Sequence, residues 1–445
     1  MTKPLLEKIV ADVEVDAPNW TTFDFENFSN HKKLWDYQQN ALVGGMKALW
    51  KYYEDFRDYS PNEVDFYDEL TKNENDIRKG KLRACYEDNG LTENLSYTLK
   101  KDAVKILQDY FPIDGDKAKF KYFINRMSFW MATGSGKTLV IVKLIHLLHT
   151  LITRGEIPEN DILVLAHKDE LIEQFRVHVQ EFNQANFGVY IRLHDLKDYS
   201  NIKRANPSLF SGDELNVFTY RSDNLTTAQK DKQIDFKNYE NGGRWYVLLD
   251  EAHKGDKEES KRQHIFSVLS RNGFLFNFSA TFTDPRDIYT TVSNFNLAEF
   301  ISKGYGKHIS ILQKQITEFR RQNNEDYTGE EKQKIVLQSL LALTVIGKQS
   351  EKVRAVQKDL FHKPLLITLV NSVNTEDADL KLFFRELERI AKGDVSDELF
   401  QSAKVELWNE FKDGVSLMFE SESILLNEAD FTALTMAEFK RHRRD

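Results

Sequence analysis

Short apolar segments that are nearly free of charge constrain the fold of this chain more than any other feature of its sequence. They are Phe129–Ala132, Ile162–Ala166, Val217–Tyr220, Trp245–Leu249, Phe274–Ser279 and Leu365–Val370. Their length and composition are typical of strands that are covered on both faces. Segments with a helical spacing of apolar residues separate them, as at Leu139–Leu151 and Glu170–Phe182. Strands that alternate with helices predict an α/β fold, in which a parallel sheet carries helices on both faces.

Composition limits the classes of protein to which the chain can belong. Its 445 residues, of which 41% are hydrophobic, are enough for two or three folded domains. The net charge of −9 gives the whole surface no basic character, so nucleic acid would have to bind in a local cleft. Cys85 is the only cysteine, which excludes an internal disulfide. The long apolar segment Leu139–Ile152 is too short to cross a bilayer. We therefore expect a cytoplasmic protein without a membrane partner.

The stretch "TGSGKT" follows one predicted strand and precedes a predicted helix. Glycines allow the backbone to turn so that successive N–H groups point inward, and the helix N-terminus adds partial positive charge. The lysine of such a loop reaches the β- and γ-phosphates of a nucleotide, and the threonine offers its hydroxyl to Mg²⁺. The residues predicted to bind ATP here are Thr133, Gly134, Ser135, Gly136, Lys137 and Thr138. For this motif alone, a structural glycine turn beside an unrelated lysine is the alternative.

Two carboxylates follow the predicted strand Trp245–Leu249, at the end where parallel sheets bind their ligands. Asp250 is the candidate ligand of Mg²⁺ together with Thr138, and Glu251 is the candidate general base that activates water. A charge pair that only stabilises a helix terminus is the alternative. In combination with the loop, the pair predicts nucleotide hydrolysis, with Lys137, Asp250 and Glu251 as catalytic residues.

The order of "LWDYQQNAL", "MATGSGKT", "DEAH" and "FSATF" along the chain resembles the motor core of superfamily 2 helicases and translocases. The resemblance implies a P-loop NTPase with a RecA-like sheet. It also implies roles for residues outside the phosphate loop: Gln38 would recognise adenine, His167 and Lys168 in "VLAHKDELIEQF" would contact the nucleic-acid backbone, and His253, Ser279 and Thr281 would couple hydrolysis to movement.

Within that superfamily, "HKPLLITLVNSVNTEDADLKLFFREL" resembles the start of the second motor lobe in helicase (Res) subunits of type III restriction enzymes. This resemblance implies a motor that uses ATP and Mg²⁺, contacts DNA mainly through its backbone, and has a methyltransferase or specificity subunit as a partner. The sequence shows no convincing second-lobe arginine for the γ-phosphate and no nuclease cluster. We therefore expect an N-terminal portion of a longer protein, which hydrolyses ATP slowly in isolation, with any nuclease beyond Asp445.

The sequence predicts five parts and leaves three functions open. The parts are an N-terminal segment with the adenine motif (1–44), a helical insertion or accessory subdomain (45–122), a first RecA-like ATP-binding lobe (123–302), a helical connector (303–360) and an incomplete second RecA-like lobe (361–445). The functions are a DNA translocase of a restriction enzyme, an RNA helicase, and a nucleotide-dependent switch or scaffold that does not move on nucleic acid. Only substrate preference separates the first two.

Overall fold

The chain forms two compact units, Met1–Gly306 and Lys307–Asp445. A computed structural model describes residues 3–54, 74–91, 96–205, 210–211, 213–230, 233–252, 261–305, 329–349, 379–411, 416–419, 422–425 and 427–441. Among these residues, no helix combines the length and apolar content that a membrane crossing requires.

Helices of the first unit flank a central sheet. They are α1 (Leu5–Ala11), α2 (Pro18–Thr21), α3 (Asp36–Tyr53), α4 (Glu74–Asp88), α5 (Lys101–Leu107), α6 (Lys137–Thr153), α7 (Asp169–Ala185), α8 (Tyr199–Ala205), α9 (Lys261–Leu269), α10 (Pro285–Tyr289) and α11 (Leu297–Ser302). The helix α3 contacts both α6 and the edge of the sheet, and it runs through the boundary predicted between residues 44 and 45.

The strands of the first unit are β1 (Ser96–Thr98), β2 (Lys117–Lys119), β3 (Arg126–Met131), β4 (Asp161–Ala166), β5 (Tyr190–Asp195), β6 (Phe210–Ser211), β7 (Glu214–Arg221), β8 (Leu225–Thr226), β9 (Ile234–Asp235), β10 (Trp245–Asp250), β11 (Phe274–Ser279) and β12 (Thr291–Phe295). Seven of them form a parallel sheet in the order β12-β3-β11-β10-β4-β7-β5, and β6 pairs antiparallel with β7. The predicted α/β fold with a RecA-like parallel sheet is confirmed.

Burial explains which strands the sequence predicted. All six residues of β4, β10 and β11 are buried, so these central strands appear as continuous apolar segments. The strands β5 and β12, at the two ends of the seven-strand order, were not predicted from the sequence. Because an end strand is covered less completely, β5 exposes half of Tyr190 and carries polar residues among its apolar ones. An alternating pattern of this kind does not produce an apolar run.

The described part of the second unit is mainly helical. Its elements are α12 (Gly329–Lys348), α13 (Asp379–Ala391), α14 (Asp397–Phe411), an antiparallel pair β13 (Ser416–Phe419) and β14 (Glu422–Leu425), α15 (Glu428–Thr432) and α16 (Met436–Arg441). The helices α12, α13 and α14 share one apolar core with α15 and α16. The predicted strand Leu365–Val370 lies outside the described residues. The incomplete second RecA-like lobe therefore stays a prediction.

Candidate nucleotide-binding site

The phosphate loop joins the end of β3 to the first residue of α6, as the sequence predicts. Gly134 and Gly136 have φ angles of 82° and 76°, in the left-handed region that glycine adopts without a steric penalty. The first turn of α6 begins at Lys137, so its N–H groups and the positive end of its dipole face the loop. This backbone geometry suits a phosphate group.

Gly136 is required for a second reason, which is the close approach of α3. A Cβ atom built on Gly136 would lie 2.4 Å from Nε2 of Gln38, closer than any Cβ tolerates. A Cβ on Gly134 meets no heavy atom of the described part of the chain within 4 Å. Gly134 is therefore needed for its backbone conformation alone, whereas Gly136 is needed for its conformation and for space.

Two side chains of α3 hold the loop from behind. The Gln38 amide donates from Nε2 to the Ser135 carbonyl oxygen at 2.7 Å, and the Tyr37 hydroxyl donates to the same oxygen at 2.8 Å. Oε1 of Gln38 accepts from the backbone N–H of Trp35 at 2.9 Å, near the start of α3. Both ends of the buried Gln38 amide are thus engaged within the protein. The structure brings Gln38 to the loop, and its adenine contact stays a prediction.

One buried hydroxyl of the loop has no partner of its own. Ser135 is 1% exposed, and its Oγ atom has no hydrogen-bond partner among the residues that the structure describes. Burial of a hydroxyl without a partner is costly, so such groups usually meet a ligand or water. Thr138 lies half-buried in the first turn of α6, and Thr133 and Gly134 are exposed. The loop therefore offers backbone and hydroxyl donors on the side where a phosphate group fits.

Asp250 and Glu251 stand beside the loop at the carboxyl end of β10, which pairs with β11 and β4. The Nζ atom of Lys137 lies 3.6 Å from Oε1 of Glu251 and 3.5 Å from the Ala132 carbonyl oxygen. We call Lys137, Asp250 and Glu251 the nucleotide cluster. Lys137 is more than a hundred residues from Asp250 and Glu251 in the sequence, and the sheet brings it close to them.

The electrostatics of the nucleotide cluster are unbalanced. Asp250 is 7% exposed. Burial, together with the neighbouring charge of Glu251, raises the pKa of Asp250 from 3.8 to about 6, although Lys137 lowers it in part. An additional cation at this position would favour the ionised form of Asp250. The cluster therefore has the charge of a site that accepts a divalent metal ion.

The backbone at Glu251 is strained. Its φ angle of 57° is uncommon for a residue with a side chain, and its N–H donates to Oδ1 of Asp250 at 2.9 Å. Strain of this kind concentrates at functional sites, where the surrounding structure holds a side chain in a required direction. His253, predicted to couple hydrolysis to movement, lies outside the described residues.

The predicted coupling residues Ser279 and Thr281 form a tight turn at the end of β11. The Thr281 N–H donates to Oγ of Ser279 at 3.0 Å, and the Ser279 hydroxyl donates to the Thr281 carbonyl oxygen at 2.6 Å. Trp130 of β3 donates from Nε1 to the Ala280 carbonyl oxygen at 2.9 Å. The turn is thereby tied to the strand that leads into the phosphate loop. Trp130 was missed at the sequence level, because an apolar run gives no sign of which side chain carries a polar contact.

His167 and Lys168 follow β4 at the same edge of the sheet as the nucleotide cluster. Lys168 is exposed and His167 is half-buried. By the same resemblance to superfamily 2 motors, the stretch "VFTYRSDNL" lies where another strand-contacting motif usually sits, and it contains Arg221, the last residue of the neighbouring strand β7. Arg221 lies beside this loop, where its guanidinium group binds two carboxylates.

No group of three or more histidine, cysteine or acidic residues that could hold a metal ion occurs among the described residues. Mg²⁺ is usually bound by one or two carboxylates, with phosphate and water as its other ligands. Thr138 and Asp250 remain the predicted ligands of Mg²⁺.

Comparison with known proteins agrees with this geometry. Residues 105–284 match the family model described as "Type III restriction enzyme, res subunit". Among solved structures, the chain is similar to the UvsW helicase from bacteriophage T4, with 15% identity and a TM-score of 0.22 over 45% of this chain and 69% of that chain. A search of the curated proteins gave no match. The predicted resemblance to this family is therefore confirmed, and the matched residues 105–284 contain the phosphate loop and the nucleotide cluster.

Proposed function

We propose that this chain is the ATP-hydrolysing part of a motor that moves on DNA. The observation that carries the proposal is the nucleotide cluster, in which Lys137 of a phosphate loop faces two carboxylates at the end of a neighbouring strand. A structural glycine turn would not need a buried lysine, a buried aspartate and a strained glutamate within reach of one another.

Binding of ATP rests on the loop. The N–H groups of the loop and of the first turn of α6 hold the phosphates, and Lys137 turns from Glu251 towards their negative charge. Thr138 and Asp250 would hold Mg²⁺, which would supply positive charge to offset the negative charge of the transferred phosphate. Gln38 and Tyr37 keep the Ser135 carbonyl oxygen fixed, so the loop does not have to reorganise when ATP binds.

Hydrolysis requires a group that orients the attacking water and accepts its proton. Glu251 is the candidate, because its carboxylate is partly exposed, lies next to Lys137 and is held in place by a strained backbone. Asp250 is buried more deeply and serves the metal. The two adjacent carboxylates therefore take different roles because their environments differ.

Coupling to nucleic acid involves the same edge of the sheet. Ser279 and Thr281 carry the change at the nucleotide to the rest of the unit, together with His253. Lys168 and His167 contact backbone phosphates, so binding depends little on base sequence. DNA is proposed as the substrate, with a methyltransferase as a partner, because the matching family is named for a restriction enzyme.

The test is steady-state ATP hydrolysis with Mg²⁺ by the full-length protein, without nucleic acid and with double-stranded DNA, single-stranded DNA or RNA, beside a Lys137→Ala variant. We expect double-stranded DNA to stimulate hydrolysis and Lys137→Ala to abolish it. Stimulation by RNA alone would instead indicate an RNA helicase. Binding of nucleotide with no response to any nucleic acid would indicate a switch or scaffold.

A further inference from the structure

Arg221 joins two acidic side chains into a closed ionic group at the edge of the sheet. Its Nε and Nη2 atoms donate to the two carboxylate oxygens of Asp223 at 2.9 and 2.6 Å, and Nη1 donates to Oδ2 of Asp169 at 2.7 Å. We call these three residues the edge clamp. A planar guanidinium group that binds two carboxylates is held more rigidly than a lysine would be.

The edge clamp connects two separate parts of the backbone. Asp169 is the first residue of α7, directly after the loop that presents Lys168. Arg221 ends β7, and Asp223 lies in the turn that follows it. Ala166 of β4 is the register partner of Arg221, and its carbonyl oxygen accepts from the Ser222 N–H at 2.9 Å. One backbone hydrogen bond and the ionic contacts of Arg221 thus fix the β4–α7 loop against the turn after β7.

The positive charge of Arg221 is already paired with the carboxylates of the clamp. One guanidinium faces two carboxylates, so the clamp as a whole is negative. The same contact lowers the pKa of Asp223. The side chain of Arg221 is 32% exposed, yet each of its three nitrogens already donates to a carboxylate. One N–H on Nη1 and one on Nη2 are not used by these three bonds, but a phosphate that approached them would be repelled by the two carboxylates of the clamp.

We propose that Arg221 is a positioning residue for nucleic-acid binding: through Asp169 and Asp223 it holds the loop of Lys168 at a fixed distance from the turn after β7, and it does not itself contact phosphate. This rests on the proposed function of the chain. Phosphates along a nucleic-acid strand are regularly spaced, so two backbone segments that contact successive phosphates need a fixed separation.

Removal of a negative charge separates this proposal from simple electrostatics. Asp169→Asn removes the negative charge of one partner of Arg221. Glu173→Gln is the control, because it removes a carboxylate of the same helix that is not part of the clamp. The side chains of Asp169 and Glu173 are 71% and 68% exposed. Binding of labelled duplex DNA and RNA to the full chain is measured by fluorescence anisotropy. If charge alone mattered, both variants would bind nucleic acid slightly more tightly. We expect Asp169→Asn to bind it about three- to tenfold more weakly, and Glu173→Gln to match the wild type within about twofold.

Two further comparisons between variants test the geometry. Arg221→Lys keeps the positive charge but loses the planar guanidinium group that binds two carboxylates at once. We therefore expect it to weaken nucleic-acid binding as much as Arg221→Ala does. The double variant Lys168→Ala/Asp169→Asn should bind no more weakly than Lys168→Ala alone, because Asp169 acts through the position of Lys168. Wild-type affinity of Arg221→Lys for nucleic acid, or tighter binding by Asp169→Asn than by Glu173→Gln, would show that Arg221 contacts phosphate and would overturn the proposal.

Binding of a fluorescent ATP analogue is measured on the same samples. Unchanged affinity for the analogue in the clamp variants shows that they are folded and that the effect is confined to nucleic acid. If the wild type binds neither DNA nor RNA, the clamp proposal and the nucleic-acid part of the proposed function fail together. If the wild type binds nucleic acid but the clamp variants do not differ from Glu173→Gln, only the clamp proposal fails.

Discussion

The nucleotide cluster and the edge clamp contain the same kinds of charge in opposite states of balance. Each combines one cation with two carboxylates at the carboxyl ends of the parallel sheet. In the clamp, the cation lies 2.6–2.9 Å from carboxylate oxygens, and the pKa of Asp223 is lowered. In the nucleotide cluster, Lys137 lies 3.6 Å from Glu251, and the pKa of Asp250 is raised to about 6.

The difference shows how one fold uses ionic groups for two purposes. A group whose charges are fully paired stabilises the arrangement of the protein itself and gains little from a ligand. A group with a buried, poorly paired carboxylate costs stability in the free protein, and that cost is removed when a cation binds. Clamp and nucleotide cluster should therefore respond in opposite ways to the same type of substitution.

The largest effect is expected from Glu251→Gln. Loss of a general base lowers turnover by about 10²–10⁴-fold, while the loop and Lys137 still bind nucleotide. Parallel assays of ATP hydrolysis and of fluorescent-nucleotide binding would separate the two effects. The matched change in the clamp, Asp223→Asn, should leave hydrolysis without nucleic acid nearly unchanged. Equal losses of hydrolysis in both variants would remove the distinction between the two groups.

The two loop glycines provide the next test. Gly136→Ala places a Cβ atom against Gln38 in addition to straining the backbone, whereas Gly134→Ala strains the backbone alone. We expect Gly136→Ala to weaken nucleotide binding by more than tenfold, and Gly134→Ala to cost about 1 kcal/mol, or roughly fivefold. Isothermal titration of both variants with an ATP analogue measures the difference. Similar affinities would mean that Gln38 moves aside freely.

Sequence patterns identified the parts of the molecule whose functional residues are close together in the chain. The loop, the Asp250–Glu251 pair and the central strands are encoded in contiguous residues, and the structure places them together. Contacts between distant residues were not predictable in this way. Gln38 binds a carbonyl oxygen 97 residues away, and the buried ion pair of Arg126 with Asp287 joins residues 161 positions apart. The contacts of Arg221 with Asp169 and Asp223 were missed for the same reason, because an arginine at a strand end does not reveal its partners.

Opposite effects on stability are expected from the two aspartates. Asp250→Asn should raise the free energy of unfolding by about 1–2 kcal/mol near pH 7.5, because it removes a buried charge; a pKa rise from 3.8 to about 6 corresponds to roughly 3 kcal/mol, and the buried amide offsets part of it. Asp223→Asn should lower it by up to about 1 kcal/mol. Thermal denaturation of both variants in the absence of nucleotide and metal provides the measurement.

The pH dependence follows from the directions of the two pKa shifts. A raised pKa means that the contribution of Asp250 to stability is fully present below its usual pKa of 3.8 and is lost as the pH rises through about 6. The advantage of Asp250→Asn should thus be large near pH 7.5 and mostly absent near pH 5. For Asp223, whose pKa is lowered, the contribution is present above 3.8, so the deficit of Asp223→Asn should be the same at both pH values. An advantage of Asp250→Asn that persists near pH 5 would contradict the proposed charge on Asp250.

Salt should produce the smallest effect and act on the clamp alone. The side chains of Arg221 and Asp169 are 32% and 71% exposed, so mobile ions screen their attraction, whereas Asp250 is 7% exposed. Raising the ionic strength from about 0.1 M to about 1 M shortens the screening length from about 10 Å to about 3 Å. The stability deficit of Asp223→Asn should then shrink by a few tenths of a kcal/mol, while the advantage of Asp250→Asn near pH 7.5 should stay constant. Denaturant titrations at both ionic strengths resolve this difference. The opposite result would be a larger change by salt in the stability effect of Asp250→Asn than in that of Asp223→Asn. That result would mean that the nucleotide cluster is the more solvated of the two groups, contrary to the burial of Asp250.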